Sequence, residues 1–225
     1  MALPKISVPT YELIIPSSKT KLKVRPFSVK EEKLLLIAAQ SKDNMEIINT
    51  TKQVINNCIV EGHRTNIDNL PFFDIDYIFI ALRAKSIGET VNVNFTCNNI
   101  VDDNPCGGRF AAQIDITQCE LVKNSDIKQD ITLSGSIKLK MKYPTYAVMK
   151  TLGEDDITIE KKIKIISASI DQVIDKNKVY TSKDFTPNEI RNFVEGLTQD
   201  QFKKLEEYVD NFPSFVVNAE AKCPH

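Results

Sequence analysis

The sequence has few of the residues that common catalytic sites require. Its 225 residues include two His, seven Gly and no Trp. Neither GxGxxG nor GxxxxGKS/T occurs, so the sequence predicts no nucleotide-phosphate loop. A Ser-His-Asp or Cys-His site would depend on His63, which lies in the polar segment EGHRTN and is predicted to be a solvated loop residue. We therefore expect a protein that is not an enzyme and has no small-molecule substrate.

The sequence also lacks an excess of charge of either sign and a long apolar run. Lys and Arg total 29 and Asp and Glu total 30, which gives a net charge of -1. The basic residues are mixed with acidic ones and form no stripe interleaved with aromatic residues, so nucleic acid is not the expected partner. The longest apolar segments, such as LLLIAA at 34–39, are far shorter than the roughly 20 residues that span a bilayer. We therefore expect no membrane partner.

Five cysteines are present, and three of them define the candidate site. The opening segment MALPKISVPTYEL has neither the basic start nor the apolar core of a secretion signal, so the thiols are expected to be reduced or to bind metal. Cys97 and Cys106 flank the polar loop TCNNIVDDNPCGG, and Cys223 lies in the final segment AKCPH. Cys58 falls on the apolar stripe of a predicted helix and is assigned to the core, and Cys119 is given no role.

The spacing of these three cysteines predicts a structural zinc site. Zinc takes four ligands in a tetrahedron, and Cys-Pro-x followed by a further Cys is a common half of such a site. The printed sequence stops where that Cys would stand, so the fourth ligand is either His225 or a residue beyond it. Eight residues separate Cys97 from Cys106, where two to four are typical. Two buried free thiols, or a disulfide, are therefore the alternatives.

Hydrophobic periodicity predicts an α+β fold, in which a small antiparallel sheet with a zinc-ribbon-like hairpin tip is covered by several helices. Apolar and polar residues alternate over 91–97 and 110–117, which predicts a hairpin whose tip carries Cys97 and Cys106. The same alternation over 215–223 predicts a third strand beside the hairpin, and this strand would bring Cys223 to the tip.

The remaining segments complete a single predicted domain, 1–225, with a metal-knuckle subregion formed by 89–117 and 214–225. The predicted helices cover 29–41, 44–60, 74–86 and 157–175, and two more begin at Thr186 and Thr198. The other predictions are a hairpin over 9–27, a strand over 136–142 and loops over 61–69 and 118–134.

Charged residues near helix starts are interpreted as capping groups. Ser28 and Glu31 form a Ser-x-x-Glu capping box. Asp74 and Asp76 could be imagined as a catalytic pair, but no His or metal motif lies beside them. Carboxylates near a helix start complement the helix dipole, and we prefer that interpretation.

The order of several segments resembles that of a known family. These segments are VPTYELIIPSS, KLKVRPFSVKEEKLLLIAAQ, INTTKQVINNCI, LPFFDIDYIFIALRAKSIGE, MKYPTY, LTQDQFKKLEEYVDNFP and AEAKCPH. The chain resembles the baseplate hub subunit and hub-assembly proteins of T-even-type tailed bacteriophages, over nearly its whole length. The most specific parts are RPFSVKEEKLLLIA and FDIDYIFIALRAKSIGE.

The resemblance implies a structural or assembly protein of a contractile-tail baseplate. Such a protein would be assembled in the host cytoplasm, would bind other baseplate hub and tail proteins, and would be located in the virion tail. The resemblance also implies Cys knuckles, often found in the family after the LRAKSIGE segment and near the C-terminus, where Cys97, Cys106 and Cys223 fall.

Two other functions are weighed against this one. A zinc-ribbon module for nucleic acid would need basic residues around the knuckles, whereas the tip reads NNIVDD and is acidic. A metal-dependent hydrolase would need an open metal position and a general base, and a site closed by cysteines offers neither.

Overall fold

The fold combines helices with several small antiparallel sheets. A computed structural model describes residues 6–41, 43–61, 66–101, 104–123, 128–152, 158–220 and 222–223, so the predictions for His63 and His225 lie outside the described residues. The helices in these ranges are α1 (Val29–Ser41), α2 (Asn44–Cys58), α3 (Phe72–Ser86), α4 (Tyr146–Thr151), α5 (Ile159–Ser169), α6 (Pro187–Glu195) and α7 (Gln199–Asp210). In the described part of the chain, no helix is both long and apolar enough to cross a membrane.

The strands are short and pair antiparallel in five small sheets among the described residues. They are β1 (Tyr11–Ile14), β2 (Lys21–Val24), β3 (Ile59–Glu61), β4 (Thr90–Thr96), β5 (Ile100–Val101), β6 (Asn104–Pro105), β7 (Arg109–Asp115), β8 (Glu120–Val122), β9 (Asp130–Ser134), β10 (Ile137–Met141), β11 (Ile170–Asp175), β12 (Lys178–Thr181) and β13 (Ser214–Val216). The α+β class is as predicted, but several sheets take the place of the single small sheet.

The first core lies between the N-terminal sheet and helices α2 and α3. The order β1-β2-β3 makes one sheet, and β2 buries Leu22 and Val24 on the face that meets the helices. Helix α2 contributes Ile48 and Ile55, which are fully buried, and α3 contributes Ile78 on the same core. Burial of such side chains stabilises the fold by about 1.5–3 kcal/mol each.

The second core lies between the sheet β12-β11-β10-β9 and helices α5, α6 and α7. Leu139 of β10, Ile166 of α5 and Leu205 of α7 are almost fully buried in it. Thr186 and Thr198 begin α6 and α7 as predicted, because each side chain accepts from the backbone of the first helical turn and a full capping box forms.

Aromatic side chains join the two cores. Phe73 of α3 meets Tyr143 edge-on, with ring centroids 5.1 Å apart, and Tyr143 stacks on Tyr208 of α7. Phe212 contacts both Tyr143 and Phe72. The N–H of Phe72 also donates to the carbonyl of Pro144, so backbone and side chains both cross the junction.

Two carboxylates near helix starts are buried and hydrogen bonded. Glu31 of α1 accepts from the N–H of Ser28 at 2.6 Å, which is half of the predicted capping box, and it also forms a two-point pair with Arg25. Asp74, in the first turn of α3, accepts from the N–H of Ser17 at 3.0 Å and from its hydroxyl. Each carboxylate therefore ties a helix to a chain segment before it.

Several predicted element boundaries are wrong. The helix predicted over 44–60 ends at Cys58, because Ile59–Glu61 pairs with β2 instead. The helix predicted over 157–175 ends at Ser169, and the rest of that segment is β11. The loop predicted over 118–134 contains the strands β8 and β9.

The predicted hairpin of the middle segment is correct, and none of its described residues belongs to either core. Strands β4 and β7 pair in an unbroken register from Thr90 with Asp115 to Thr96 with Arg109. The third strand predicted over 215–223 is wrong in extent and in partner. Among the described residues of this part of the chain, only Ser214–Val216 is a strand, and it pairs with β8 instead of with the hairpin. We call the β4–β7 hairpin and its tip, residues 90–115, the arm.

Candidate metal centre

The tip of the arm places the first two cysteines side by side. Cys97 follows the last residue of β4, and its N–H donates to the carbonyl of Gly108 at 2.8 Å, which continues the ladder by one step. The N–H of Cys106 donates to the carbonyl of Asn99 at 2.7 Å. These two hydrogen bonds hold the outgoing and returning segments of the chain together at the base of the tip.

The unusual spacing between Cys97 and Cys106 has a structural explanation. Strands β5 and β6 pair with each other, Ile100 with Pro105 and Val101 with Asn104, and form a miniature ribbon beyond the cysteines. The ribbon leads the chain out and back, so the extra residues do not separate the two thiols. The sequence analysis missed this ribbon, for which the β-branched pair Ile100-Val101 and the turn-forming dipeptide Asn104-Pro105 are the available signals.

Gly107 permits the turn directly after the second cysteine. Its φ is +62°, in the left-handed region that favours glycine, and its N–H donates to the carbonyl of Cys97 at 3.1 Å. This turn reverses the chain into β7 while the Cys106 side chain stays at the site. A side chain at this position would strain the backbone.

The C-terminal segment brings the third cysteine to the same place. The sulfurs of Cys106 and Cys223 are 3.7 Å apart, and the sulfurs of Cys97, Cys106 and Cys223 all lie within 4.8 Å of one another. Cys97 is buried and the other two are half-buried. The predicted convergence of these three residues is therefore present in the structure, although the segment that carries Cys223 is not a strand.

The environment of Cys97 favours its ionised form. The backbone N–H of Asn99 donates to its sulfur and, with the thiols of Cys223 and Cys106 beside it, lowers the pKa of Cys97. Thiolates, not thiols, are the metal-binding form of cysteine. Three such sulfurs around one point can hold a metal ion.

The other two cysteines lie away from the cluster. Cys58 is fully buried in the first core, where burial raises its pKa to about 11, so the predicted core role is correct. Burial also raises the pKa of Cys119. The sulfur of Cys58 accepts from the guanidinium of Arg25 at 3.9 Å, and neither Cys58 nor Cys119 belongs to the thiol cluster.

The comparisons with known proteins agree with the resemblance seen in the sequence. The family described as T4 bacteriophage base plate protein matches residues 8–225. No curated protein and no solved structure matches the chain. The family match spans both cores, the arm and all three clustered cysteines. The chain therefore belongs to the family of T4 bacteriophage base plate proteins and is a structural protein of the tail baseplate.

Proposed function

We propose that this protein is a subunit or assembly factor of the baseplate hub and that it acts by binding other hub and tail proteins, without catalysis. The observation that carries the proposal is the family match over residues 8–225. The two most specific segments of the hub resemblance fall on α1 and on α3 with the residues after it. Assembly would take place in the host cytoplasm and deliver the protein to the virion tail.

The thiol cluster would bind zinc in a structural role. Two sulfurs at about 2.3 Å from a tetrahedral zinc lie roughly 3.8 Å apart, close to the 3.7 Å between Cys106 and Cys223. A disulfide requires about 2.05 Å, which none of the free thiols approaches in the described residues. The donor set therefore fits zinc better than it fits the disulfide alternative.

His225 is the proposed fourth ligand, two residues beyond Cys223 in the sequence. A site of three Cys and one His is closed, because all four tetrahedral positions are filled by protein. Such a site leaves no position for a reactive water, which disfavours the hydrolase alternative. Its effect would be to fix the C-terminal segment to the arm.

The metal proposal is tested by measuring zinc on the protein purified from its natural open reading frame, with the intact mass recorded to define its C-terminus. We expect about one zinc per chain, lost in Cys97→Ser and retained in Cys119→Ser, because only Cys97 lies in the cluster. Cobalt substitution should give sulfur-to-metal charge-transfer absorption in the wild type. A wild-type protein that is purified without metal and remains soluble would contradict the zinc site. The baseplate assignment would not be affected.

The hub proposal is tested in the virus that encodes the protein. A stop codon early in the gene should prevent completion of the baseplate, and wild-type protein supplied separately should restore it. Electron microscopy and sedimentation of the lysate would reveal whether complete tails form. A normal yield of infectious particles without the protein would overturn the hub proposal.

A further inference from the structure

The arm has a free edge along β4. The N–H of Cys97 donates to the carbonyl of Gly108, and at the other end the N–H of Ile116 donates to the carbonyl of Glu89. The register between these two pairs is unbroken. Hydrogen-bonded pairs alternate along an antiparallel ladder, so the odd-numbered residues of β4 bond to β7.

The even-numbered residues of β4 therefore direct their backbone groups away from β7. At one end the carbonyl of Thr90 accepts from the guanidinium of Arg83 at 3.4 Å. For Asn92, Asn94 and Thr96, the structure gives no backbone partner within the described ranges. Two residues in the centre of the strand and one near the tip thus offer donors and acceptors to another strand.

Two other sheet edges of the molecule, at β9 and β12, have backbone groups that are bonded by side chains. At β9, the ammonium of Lys204 donates to the carbonyls of Thr132 and Leu133. At β12, the N–H of Thr181 donates to the carboxylate of Asp184, whose own N–H donates back to the carbonyl of Thr181. Strand β4 has no charged residue, no proline and no bulge, which are usual protections of an exposed edge.

We propose that β4 pairs antiparallel with β4 of a second copy of this chain, so that two arms form one four-stranded sheet. Full overlap of the strand with itself places the two-fold axis at Val93. The cross-strand pairs are then Val93 with Val93, Asn92 with Asn94, Val91 with Phe95, and Thr90 with Thr96. The even-numbered residues, whose backbone groups point outward, lie opposite even-numbered residues of the second copy. This is required because hydrogen-bonded pairs consist of residues directly opposite each other.

The composition of the strand argues for a second copy as the occupant. The pairs of Val91 with Phe95 and of Thr90 with Thr96 are of types that stabilise sheets, aromatic with β-branched and Thr with Thr. Self-pairing of a charged edge would place like charges close together, whereas TVNVNFT carries none. A two-fold pairing is also closed, which means that it joins two copies and no more. In the resulting dimer, β7 of each copy is an outer strand of the four-stranded sheet.

The test is the oligomeric state of the full-length protein, measured by sedimentation equilibrium. Asn94→Pro removes an outward N–H and leaves the bonds to β7 in place, so it should weaken the dimer by at least about tenfold. The matched control is Ala111→Pro, which removes the outward N–H directly opposite on β7 and should leave the dimer unchanged. A wild-type protein that is monomeric at about 100 μM would overturn the proposal.

A charge exchange tests the register independently of any folding defect. The double variant N92K/N94K places Lys against Lys in the paired strands, and N92E/N94E places Glu against Glu, so each should be monomeric alone. Mixed in equal amounts they should form a heterodimer, because every Lys then faces a Glu. Dimerisation of either variant alone, failure of the mixture to associate, or indefinite aggregation of the wild type would contradict the proposed pairing.

Discussion

The sulfurs of Cys106 and Cys223 lie 3.7 Å apart although the two residues are 117 positions apart in the sequence. This contact connects the tip of the arm to the C-terminal segment across a large loop of chain. Closing a loop of this size restricts the unfolded chain strongly, so a bond or shared metal there should stabilise the fold.

Replacement of Cys223 by Ser should therefore lower the melting temperature and remove its dependence on zinc. We expect a decrease of at least about 5 °C, because roughly 1–2 kcal/mol of lost stability produces such a shift in a chain of this size. Calorimetry with and without a chelator measures both effects. Cys119→Ser, outside the cluster, should keep the response to chelator. Equal melting of Cys223→Ser and wild type would contradict the structural role.

Acid should destabilise the protein through Glu31. The pKa of Glu31 is lowered to about 2 from an ordinary value of 4.5, mainly because Arg25 donates hydrogen bonds to its carboxylate. A carboxylate with a lowered pKa in the folded state stabilises above its unfolded pKa, and this contribution is lost as the pH falls from 4.5 towards 2. The loss should reach about 3 kcal/mol, measured by urea unfolding across this range.

The variant Glu31→Gln isolates this effect. Its stability should be lower than that of the wild type at pH 6, and the difference should shrink as the pH approaches 2. Glu32→Gln removes the neighbouring carboxylate, which does not bond to Arg25, and should keep the wild-type pH dependence. A constant difference between Glu31→Gln and wild type at every pH would contradict the assignment.

The turn between β1 and β2 should be stabilised by the hydroxyl of Ser17 more than by that of Ser18. Ser17 donates to the buried carboxylate of Asp74, whose pKa is raised by burial and lowered in part by the bonds from Ser17. Ser17→Ala should destabilise by about 1–3 kcal/mol, because a buried charge loses a donor. Ser18→Ala, where the hydroxyl contacts only exposed Thr20, should change stability by less than about 0.5 kcal/mol. Equal effects of the two variants in urea unfolding would contradict the prediction.

The two cores should unfold together as one domain, as the sequence predicts for 1–225. Phe73→Ala removes the ring that meets Tyr143 at the junction and should cost about 3–5 kcal/mol. Ile159→Ala, at a side chain that is 58% exposed, should cost less than about 0.5 kcal/mol. Scanning calorimetry should give one transition for the wild type, with equal calorimetric and van't Hoff enthalpies. Two separate wild-type transitions would contradict the single domain.

Local sequence signals predict the elements whose ends are fixed by nearby residues. Thr186 and Thr198 define helix starts because their capping groups lie within one turn. The hairpin of β4 and β7 follows from strict alternation on both strands. The proximity of Cys97 and Cys106 follows from this hairpin, whereas Cys223 joins them through a segment that is not a strand, so only cysteine chemistry indicates its place.

The errors occur where a distant partner decides the structure. Ile166, Ile170 and Val173 continue a helical spacing, yet Ile170 and Val173 lie in β11 because β10 offers a pairing partner. The alternation over 215–223 is real, but β8 pairs with only its first part. Neither partner is adjacent in the sequence, so periodicity alone cannot choose between the possibilities.

The position of Cys223 also sets the order in which the arm is completed during synthesis. Cys223 is translated 117 residues after Cys106, which takes about 6–23 s at ordinary elongation rates of roughly 5–20 residues per second. Once Asp115 has been added, all residues of the arm have been made, but the third thiol has not. The thiol cluster of a nascent chain is therefore incomplete, and only a chain extended to Cys223 can complete it at the tip of the arm.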